Sequence, residues 1–149
     1  MEKEQIEIWP IKEPDKPILR QLYEEIRAQT FTWLTKEQLE TGTFDEDTAG
    51  EKILVARFEG NIVGFISVWE ADRFIHHLYV RKPYQGQGIG QLLVLAAQSD
   101  IRGIITLKCL VRNRQAVKFY IKNGWKERSR GVSEQGGYIL FELKPPHLL

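Results

Sequence analysis

Three glycines at alternate positions separate a strand-like segment from an apolar helical segment in the middle of the chain. They are Gly86, Gly88 and Gly90, and they lie between LYV at 78–80 and QLLVLAAQ at 91–98. The first N–H groups of a helix lack internal partners and carry partial positive charge, so an anion binds well there. Glycine loses much conformational freedom on folding, and three in one turn indicate a backbone that approaches a ligand closely. Tight strand–helix packing explains one such glycine more easily than three.

The spacing of the glycines distinguishes between three kinds of phosphate-binding loop. A Walker A loop requires Lys and then Ser or Thr after its last glycine, but Gln91 follows Gly90 here. The dinucleotide fingerprint requires G-x-G-x-x-G, whereas the chain has G-x-G-x-G. A third pattern, Gln/Arg-x-x-Gly-x-Gly/Ala, is matched completely by QGQGIG at 85–90. The third pattern fits best, with a nucleotide- or dinucleotide-binding protein as a rival interpretation.

The order of predicted elements indicates a mixed α/β fold. A short strand, IEIWPI, precedes a helix over PILRQLYEEIRAQ, a short helix that Thr35 caps over KEQLE, and an acidic loop, DEDTAG. Three strands follow as an antiparallel meander, namely KILVARF, IVGFISVWE and RFIHHLYV. After the glycines come a helix to about Gln98, a strand at 104–111, a helix that Asn113 caps and Gly124 ends, and a closing strand pair. The strand–helix–strand unit predicts one parallel pairing, between RFIHHLYV and IITLKCLV.

The composition is that of an ordinary globular protein. The 149 residues, 42% of them hydrophobic and 28% charged, predict one domain over 1–149. The 21 Lys and Arg residues nearly balance 20 Asp and Glu residues, which gives no support for general nucleic-acid binding. The single cysteine, Cys109, excludes an internal disulfide and fits a cytoplasmic location. The N-terminus lacks an apolar signal core, no apolar run spans a bilayer, and no Cys/His cluster has zinc-site spacing.

Three segments make the chain resemble the GNAT superfamily of N-acetyltransferases. QGQGIG is similar to the loop with which that family binds the pyrophosphate of acetyl-coenzyme A. NRQAVKFYIKNGWKE resembles N-x-x-A-x-x-F-Y-x-x-x-G-F, with Trp125 in place of the last phenylalanine. LYVRKPYQGQGIG is similar to L-x-V-x-P-x-[YF]-[RQ]-G-x-G-[IV]-G, with one residue inserted around Arg81 and Lys82. The resemblance implies a mixed, mostly antiparallel central sheet flanked by helices, with a splayed parallel strand pair that holds the coenzyme.

The resemblance also implies which residues bind the coenzyme. The pantetheine arm is expected to lie between the splayed strands and to bond to their main chain, with the N–H of Val80 toward the thioester carbonyl. Asn113 is expected to contact the coenzyme as well as to cap its helix. The implied coenzyme-binding residues are Leu78, Tyr79, Val80, Gln85, Gly86, Gln87, Gly88, Ile89, Gly90, Gln91, Asn113, Ala116 and Tyr120. Acetyl-coenzyme A is the co-substrate, and no metal is expected.

Acetyl transfer to an amine needs three groups, which are a proton acceptor, a donor to the oxyanion and a proton donor for the departing thiolate. The oxyanion donor is expected to be a backbone N–H. By resemblance, Tyr120 of the FY pair is the general acid; its alternative interpretation is an aromatic core residue on a helix. Phe119, the neighbouring aromatic residue, points elsewhere and suits the core better.

The general base is less well defined by the sequence. Many GNAT relatives have a glutamate four residues before the leucine of L-x-V, and Phe74 occupies that position here. His76 and His77 are the candidate bases, because a neutral imidazole accepts a proton near neutral pH. On a regular strand they lie on opposite faces, with His76 slightly favoured, although a bulge would reverse the assignment and both could be structural. Glu70 and ordered water are the other routes.

Aromatic side chains are candidates for the acceptor pocket, because they can hold an apolar body or a cation. They are Phe31, Trp33, Trp69 and Tyr138, with Trp125 as a further candidate. The predicted reaction is direct acetyl transfer to the primary amine of a small molecule or of a protein or peptide N-terminus. The alternative is a non-catalytic acetyl-coenzyme A sensor, which needs neither Tyr120 nor a base. No nucleic-acid or membrane partner is expected, and the C-terminal strands could form a homodimer.

Overall fold

A seven-stranded sheet forms the centre of the protein in a computed structural model, which describes residues 5–39 and 42–145. The strands are β1 (Ile6–Pro10), β2 (Lys52–Phe58), β3 (Asn61–Trp69), β4 (Phe74–Val80), β5 (Ile105–Leu110), β6 (Lys126–Ser133) and β7 (Gly136–Leu143). Their order across the sheet is β1-β2-β3-β4-β5-β7-β6. Every neighbouring pair is antiparallel except β4 and β5, which are parallel. The predicted meander and the predicted parallel pairing are both confirmed.

Helices cover both faces of this sheet. The α-helices of the described chain are α1 (Lys16–Thr30), α2 (Lys36–Leu39), α3 (Phe44–Asp47), α4 (Ile89–Asp100) and α5 (Arg114–Lys122). Single 3₁₀ turns lie at Glu13–Asp15, Glu70–Asp72 and Lys82–Tyr84. Among the described helices, none combines the length and the apolar character needed to cross a bilayer.

Side chains alternate along the central strands and divide the core into two parts. One part packs against α4 and α5 and contains Ile66, Val68 and Ile75, together with Leu93 of α4. We call this side of the sheet the α4 face. The other part packs against α1 and includes Val55 and Phe65. We call it the α1 face.

The hairpin between β2 and β3 shows how a short sequence signal sets the pairing next to a turn, before a register shift between Ala56 and Arg57. Phe58 pairs with Asn61, so Glu59 and Gly60 alone form the turn. Both have positive φ angles, 51° and 80°. Two central residues in the left-handed region define a type I′ turn, whose twist matches that of the flanking strands. The predicted hairpin at this position is confirmed.

Strands β4 and β5 pair over only a short length. Their register consists of Phe74 opposite Thr106 and Ile75 opposite Leu107. Beyond these pairs β5 continues beside β7, while the last residues of β4 keep only β3 as a strand neighbour in the described chain. A wedge-shaped opening, which we call the gap, therefore separates 78–80 of β4 from 108–110 of β5. This is the splayed parallel pair that the family resemblance implies.

Strand β4 bulges at His76. Ser67 and Val68 are consecutive on β3, but their partners on β4 are His77 and Ile75. His76 is thus the extra residue of a β-bulge, which interrupts the alternation of side chains. Ile75 packs on the α4 face, whereas the rings of His76 and His77 lie side by side with centroids 4.1 Å apart. The expectation that the two histidines lie on opposite faces of a regular strand is wrong, and the bulge considered as its alternative is present.

Two helical segments differ from the sequence-based prediction. The acidic stretch expected to be a loop contains α3, because the side chain of Thr43 accepts a hydrogen bond from the N–H of Glu46 and buried Phe44 anchors the turn. Helix α4 continues to Asp100 instead of ending near Gln98. The capped helix after Thr35 is confirmed over Lys36–Leu39, and its last predicted residue, Glu40, lies outside the described residues.

Candidate functional site

The N-terminus of α4 presents backbone donors that no side chain of the loop satisfies. Gly88 is the N-cap with φ of 88° and makes no side-chain capping bond. The N–H of Leu92 is bonded to the carbonyl of Gly88, as the first helical turn requires. The N–H groups of Ile89, Gly90 and Gln91 precede that bond and lack helical acceptors, so they are left for an anion. The structure thus gives the predicted loop the polarity that a diphosphate needs.

The three glycines of the loop have different structural reasons. Gly86 has φ of 78°, and a Cβ built on it meets nothing within 4 Å, so open space lies in front of its backbone. Gly88 has φ of 88° and forms the turn into the helix. A Cβ on Gly90 would lie 3.1 Å from the ring of Phe119, so this glycine allows α4 and α5 to pack closely. The expectation that every glycine clears space for a phosphate therefore fits Gly86, whereas Gly88 is explained by its positive φ angle and Gly90 by helix packing.

The glutamines of the loop bond to the protein main chain. The Gln85 side-chain amide donates to the carbonyl of Val80 at 2.9 Å, which ties the loop to the end of β4. The Gln87 amide donates to the carbonyl of Pro83 at 3.4 Å. Gln91 lies in the first turn of α4, and its Oε1 is buried without a partner among the described residues. Gln85 and Gln87 therefore shape the loop, and an anion would meet its backbone.

The gap exposes backbone groups of β4 at its open edge. The N–H of Arg81 donates to Val63 of β3 at 2.8 Å. Because bonding directions alternate along an antiparallel strand, Tyr79 also bonds toward β3, while Leu78 and Val80 point their N–H groups into the gap. The carbonyl of Val80 already accepts from Gln85. The N–H groups of Leu78 and Val80 are thus the donors that the gap offers.

Tyr120 of α5 is buried in the core of the α4 face, near Cys109 of β5 and Tyr79 of β4. Its ring contacts Phe141 and Trp125, each with centroids 5.6 Å away. Burial, then the neighbouring Cys109 of β5 and Tyr79 of β4, raises the pKa of Tyr120 well above that of an ordinary phenol. The hydroxyl stays protonated at neutral pH and acts as a donor. This position is compatible with both interpretations of Tyr120, as an aromatic core residue and as a proton donor.

Asn113 caps its helix, which is one of the two roles expected for it. Its side-chain oxygen accepts from the N–H of Ala116 at 3.4 Å and so caps α5. Ala116 itself packs against the core of the α4 face. Nearby Cys109 is a buried thiol, and burial raises its pKa to about 12, which keeps it an inert core residue beside Tyr120.

His77 is enclosed on the α1 face by hydrogen-bonding groups. Its Nδ1 lies 2.8 Å from the hydroxyl of Ser67, and its Nε2 lies 3.4 Å from the hydroxyl of Tyr23. Tyr23 in turn donates to Asp47 at 2.5 Å. Because the Tyr23 proton goes to Asp47, the arrangement is satisfied when Nε2 of His77 carries the hydrogen and Nδ1 accepts from Ser67. The imidazole is therefore held neutral with both nitrogens engaged.

The environment of His77 predicts that the folded protein loses stability in acid. Burial first, and then the charges of His76 and Arg27, lower the pKa of His77 to about 3. In the unfolded chain the imidazole of His77 binds its proton near pH 6.5. The contribution of His77 to folding stability is therefore fully present above that pH and is lost as the pH decreases toward 3. Between pH 6.5 and pH 4.5 the loss should be about 2 kcal/mol. Urea unfolding at several pH values should show a steeper decline for the wild type than for His77→Gln, and parallel declines would contradict this assignment.

His76 is more accessible and has a different partner. Its side chain is 45% exposed, and Nδ1 lies 2.7 Å from Oε2 of Glu51, whose side chain is only 5% exposed. Glu51 is the residue that precedes β2. Sequence reasoning missed it, because nothing in the local pattern links the start of β2 with the middle of β4.

Glu51, His76 and His77 are also the group of the described chain that could approach a metal ion together. One ligand atom from each lies within 4.8 Å of the others. However, Nδ1 of His76 is engaged by Glu51, and Nδ1 of His77 is engaged by Ser67. These hydrogen bonds engage Nδ1 of both histidines and leave Nε2 of His76 without a partner among the described residues.

The predicted pocket aromatics are distributed over several places. Phe31 and Trp33 form one edge-to-face pair, with centroids 5.5 Å apart, after α1. Trp69 is exposed and lies against Gly50, at the end of β3 beside the start of β4. Tyr138 of β7 lies under the ammonium of Lys108 at 4.9 Å. Trp125 is buried in the core beside Tyr120.

Comparison with known proteins places this geometry in context. Residues 49–127 match the model of a family described as an acetyltransferase (GNAT) domain. No curated protein sequence is a significant match to the chain.

Solved structures share the fold over nearly the whole chain. A GCN5-related N-acetyltransferase from Rhodopseudomonas palustris has a TM-score of 0.78 and 20% identity, covering 97% of this chain and 98% of its own. PaiA N-acetyltransferase from Thermoplasma acidophilum, in complex with coenzyme A, has a TM-score of 0.78 and 22% identity, covering 93% and 98%. Apo YjaB from Escherichia coli has a TM-score of 0.74 and 25% identity, covering 95% and 97%. The predicted fold class is confirmed.

Proposed function

Because the chain belongs to the GNAT acetyltransferase family, we propose that it transfers acetyl groups from acetyl-coenzyme A directly to a primary amine of a small molecule or of a peptide N-terminus. The observation that carries this proposal is the uncapped N-terminus of α4 beside the open gap between β4 and β5. PaiA, which has the same fold, is seen with coenzyme A. That complex supports the same donor for this chain.

The loop at 85–91 is proposed to bind the coenzyme diphosphate. Free N–H groups at 89–91 and the open space before Gly86 fit an anion that lies against backbone. The gap-facing N–H groups of Leu78 and Val80 can hold the pantetheine arm and the thioester carbonyl. As negative charge develops on that carbonyl oxygen, such preorganised donors stabilise it. Of the two donors, Leu78 is the nearer to His76 along β4.

Tyr120 is proposed as the proton donor to the leaving group. The amine nitrogen attacks the thioester carbon, a tetrahedral intermediate forms, and the carbon–sulfur bond then breaks with its electron pair passing to sulfur. The protonated phenol between β4 and β5 can donate its hydrogen to that thiolate. Its ring contacts with Trp125 and Phe141 hold it in place.

His76 is proposed as the base, in preference to His77. His77 has both nitrogens engaged and a pKa of about 3, so it is too weak a base at neutral pH. His76 has its Nε2 without a partner among the described residues and lies where the β4–β5 pairing ends. The acceptor amine should therefore approach His76 from the α1 face, where exposed Trp69 can contact it.

The reaction as proposed needs no metal ion, and a cytoplasmic location remains part of the proposal.

A panel of amines, including polyamines, aminoglycosides and short peptides, should be incubated with acetyl-coenzyme A and the products analysed by mass spectrometry. The proposal expects a mass gain of one acetyl group on at least one amine, with release of free thiol. Binding of acetyl-coenzyme A with no acetylated product from any amine would favour the sensor alternative.

A further inference from the structure

Glu51 places a buried carboxylate directly behind the exposed histidine of the bulge. Its side chain is 5% exposed, and its Oε2 lies 2.7 Å from Nδ1 of His76. Its other oxygen, Oε1, is buried with no hydrogen-bond partner among the described residues. Burial of a carboxyl group is costly unless it is paired, and His76 is the hydrogen-bond partner that the Glu51 side chain has among the described residues.

From this contact, and resting on the acetyl transfer proposed above, we infer that Glu51 is a positioning residue that orients His76 as the base for the acceptor amine. A carboxylate can only accept a hydrogen bond, so the hydrogen of the neutral imidazole lies on Nδ1. The lone pair then lies on Nε2, which is the nitrogen left for a substrate. The carboxylate also stabilises the imidazolium that forms when Nε2 takes the proton.

The bulge explains why the pair can form at all. On a regular strand His76 and His77 would point to opposite faces, but the extra residue places both rings side by side on the α1 face. Glu51 reaches this face from the start of β2, across β3. The β4–β5 pairing ends one residue before His76, so the imidazole stands at the closed end of the gap.

The charged and titratable groups around the pair are consistent with one base. His77 beside it is neutral and bonded to Ser67 and Tyr23, and its Nδ1 lies 3.9 Å from Oε1 of Glu51, beyond hydrogen-bond distance. Asp47 of α3 accepts a hydrogen bond from the Tyr23 hydroxyl, and Arg27 of α1 lies over the Tyr23 ring at 5.1 Å. Glu51 is therefore the carboxylate that contacts His76 directly. In the proposed step, one proton moves from the amine nitrogen to Nε2 of His76 while the new nitrogen–carbon bond forms.

The test uses three variants of the full chain. Glu51→Gln keeps the size and a hydrogen-bond acceptor but removes the charge, His76→Asn removes the base, and the third variant combines them. We expect kcat to fall about 100-fold for His76→Asn, the lower end of the range of general base catalysis, and only about 10-fold for Glu51→Gln, because the base itself is retained, with KM for acetyl-coenzyme A unchanged in both. The double variant should be no slower than His76→Asn alone, because Glu51 acts through His76. Glu7→Gln, an exposed site on edge strand β1, is the matched control and should retain wild-type kinetics.

A second readout does not depend on activity. Two-bond ¹⁵N–¹H correlation spectra of the wild type should show His76 as the Nδ1–H tautomer at pH 8, and Glu51→Gln should reduce that tautomer. An Nε2–H tautomer in the wild type would overturn the inference. So would additive losses of kcat in the double variant, or a loss of activity on chelation that zinc restores.

The outcomes separate the inference from the function on which it rests. If the wild type acetylates an amine but Glu51→Gln retains wild-type kcat, the positioning role fails and the acetyltransferase function stands. If the wild type acetylates no amine, the proposed function fails, and the catalytic role of Glu51 and His76 fails as well.

Discussion

Replacement of Tyr120 with phenylalanine should lower kcat about 100- to 1000-fold, which is the range expected when a general acid is lost. The KM for acetyl-coenzyme A should change little, because phenylalanine keeps the ring that packs against Trp125 and Phe141. Without the hydroxyl, the thiolate leaves unprotonated into a buried site where its negative charge is poorly solvated. Steady-state kinetics with thiol detection measure both parameters.

The control for this variant is Tyr84→Phe. Tyr84 is a half-buried tyrosine whose ring lies 6.2 Å from that of Phe58, and nothing assigns its hydroxyl to the reaction. It should retain wild-type kcat. Equal kcat values for Tyr120→Phe and the wild type would show that Tyr120 is only a core residue, which is the alternative that its burial also allows.

Replacement of Gly86 with alanine should weaken acetyl-coenzyme A binding at least about tenfold, equivalent to about 1.4 kcal/mol. Gly86 has φ of 78° and open space in front of its backbone, so an added methyl group would occupy volume that we assign to the diphosphate. Isothermal titration calorimetry with acetyl-coenzyme A measures the change in Kd.

Gly60→Ala is a matched control for backbone strain. Gly60 has φ of 80°, and a Cβ there also meets nothing within 4 Å, but it lies in the β2–β3 turn. Both variants should lose about 1 kcal/mol of folding stability, because a left-handed conformation costs alanine about that much. Only Gly86→Ala should lose affinity. Equal Kd values for the two variants would place the ligand elsewhere.

The parts of the site that depend on local sequence could be predicted. The loop at 85–90, the cap by Asn113 and the placement of Tyr120 follow from patterns confined to one turn or one helix, and the structure shows each in its expected element. The β2–β3 hairpin was also predictable, because the Glu59-Gly60 turn sets the pairing of the residues next to it.

The parts that depend on distant contacts could not be predicted. The bulge at His76 arises from the pairing of β3 with β4, and no residue type in FIHHLYV marks it. The Glu51–His76 contact joins residues 25 positions apart, so no periodicity reveals it. The closeness of Gly90 to Phe119 likewise depends on how α4 meets α5. The short helix α3 is different, because its sequence contains a capping signal, which is Thr43 followed by three acidic residues. The interpretation of this stretch as a solvated loop neglected that signal.

The central claim is that backbone amides at 85–91 bind a diphosphate and so direct an acetyl group into the gap. Thermal unfolding with three ligands tests it most directly: acetyl-coenzyme A, its 3′-dephospho form, and acetyl-pantetheine, which lacks the diphosphate and the nucleoside. A ligand at 100 times its Kd stabilises by about 2.7 kcal/mol, which should raise Tm by about 5–10 °C. We predict that rise for the first two ligands and little change with acetyl-pantetheine. No rise with millimolar acetyl-coenzyme A, or an equal rise with all three, would contradict the account.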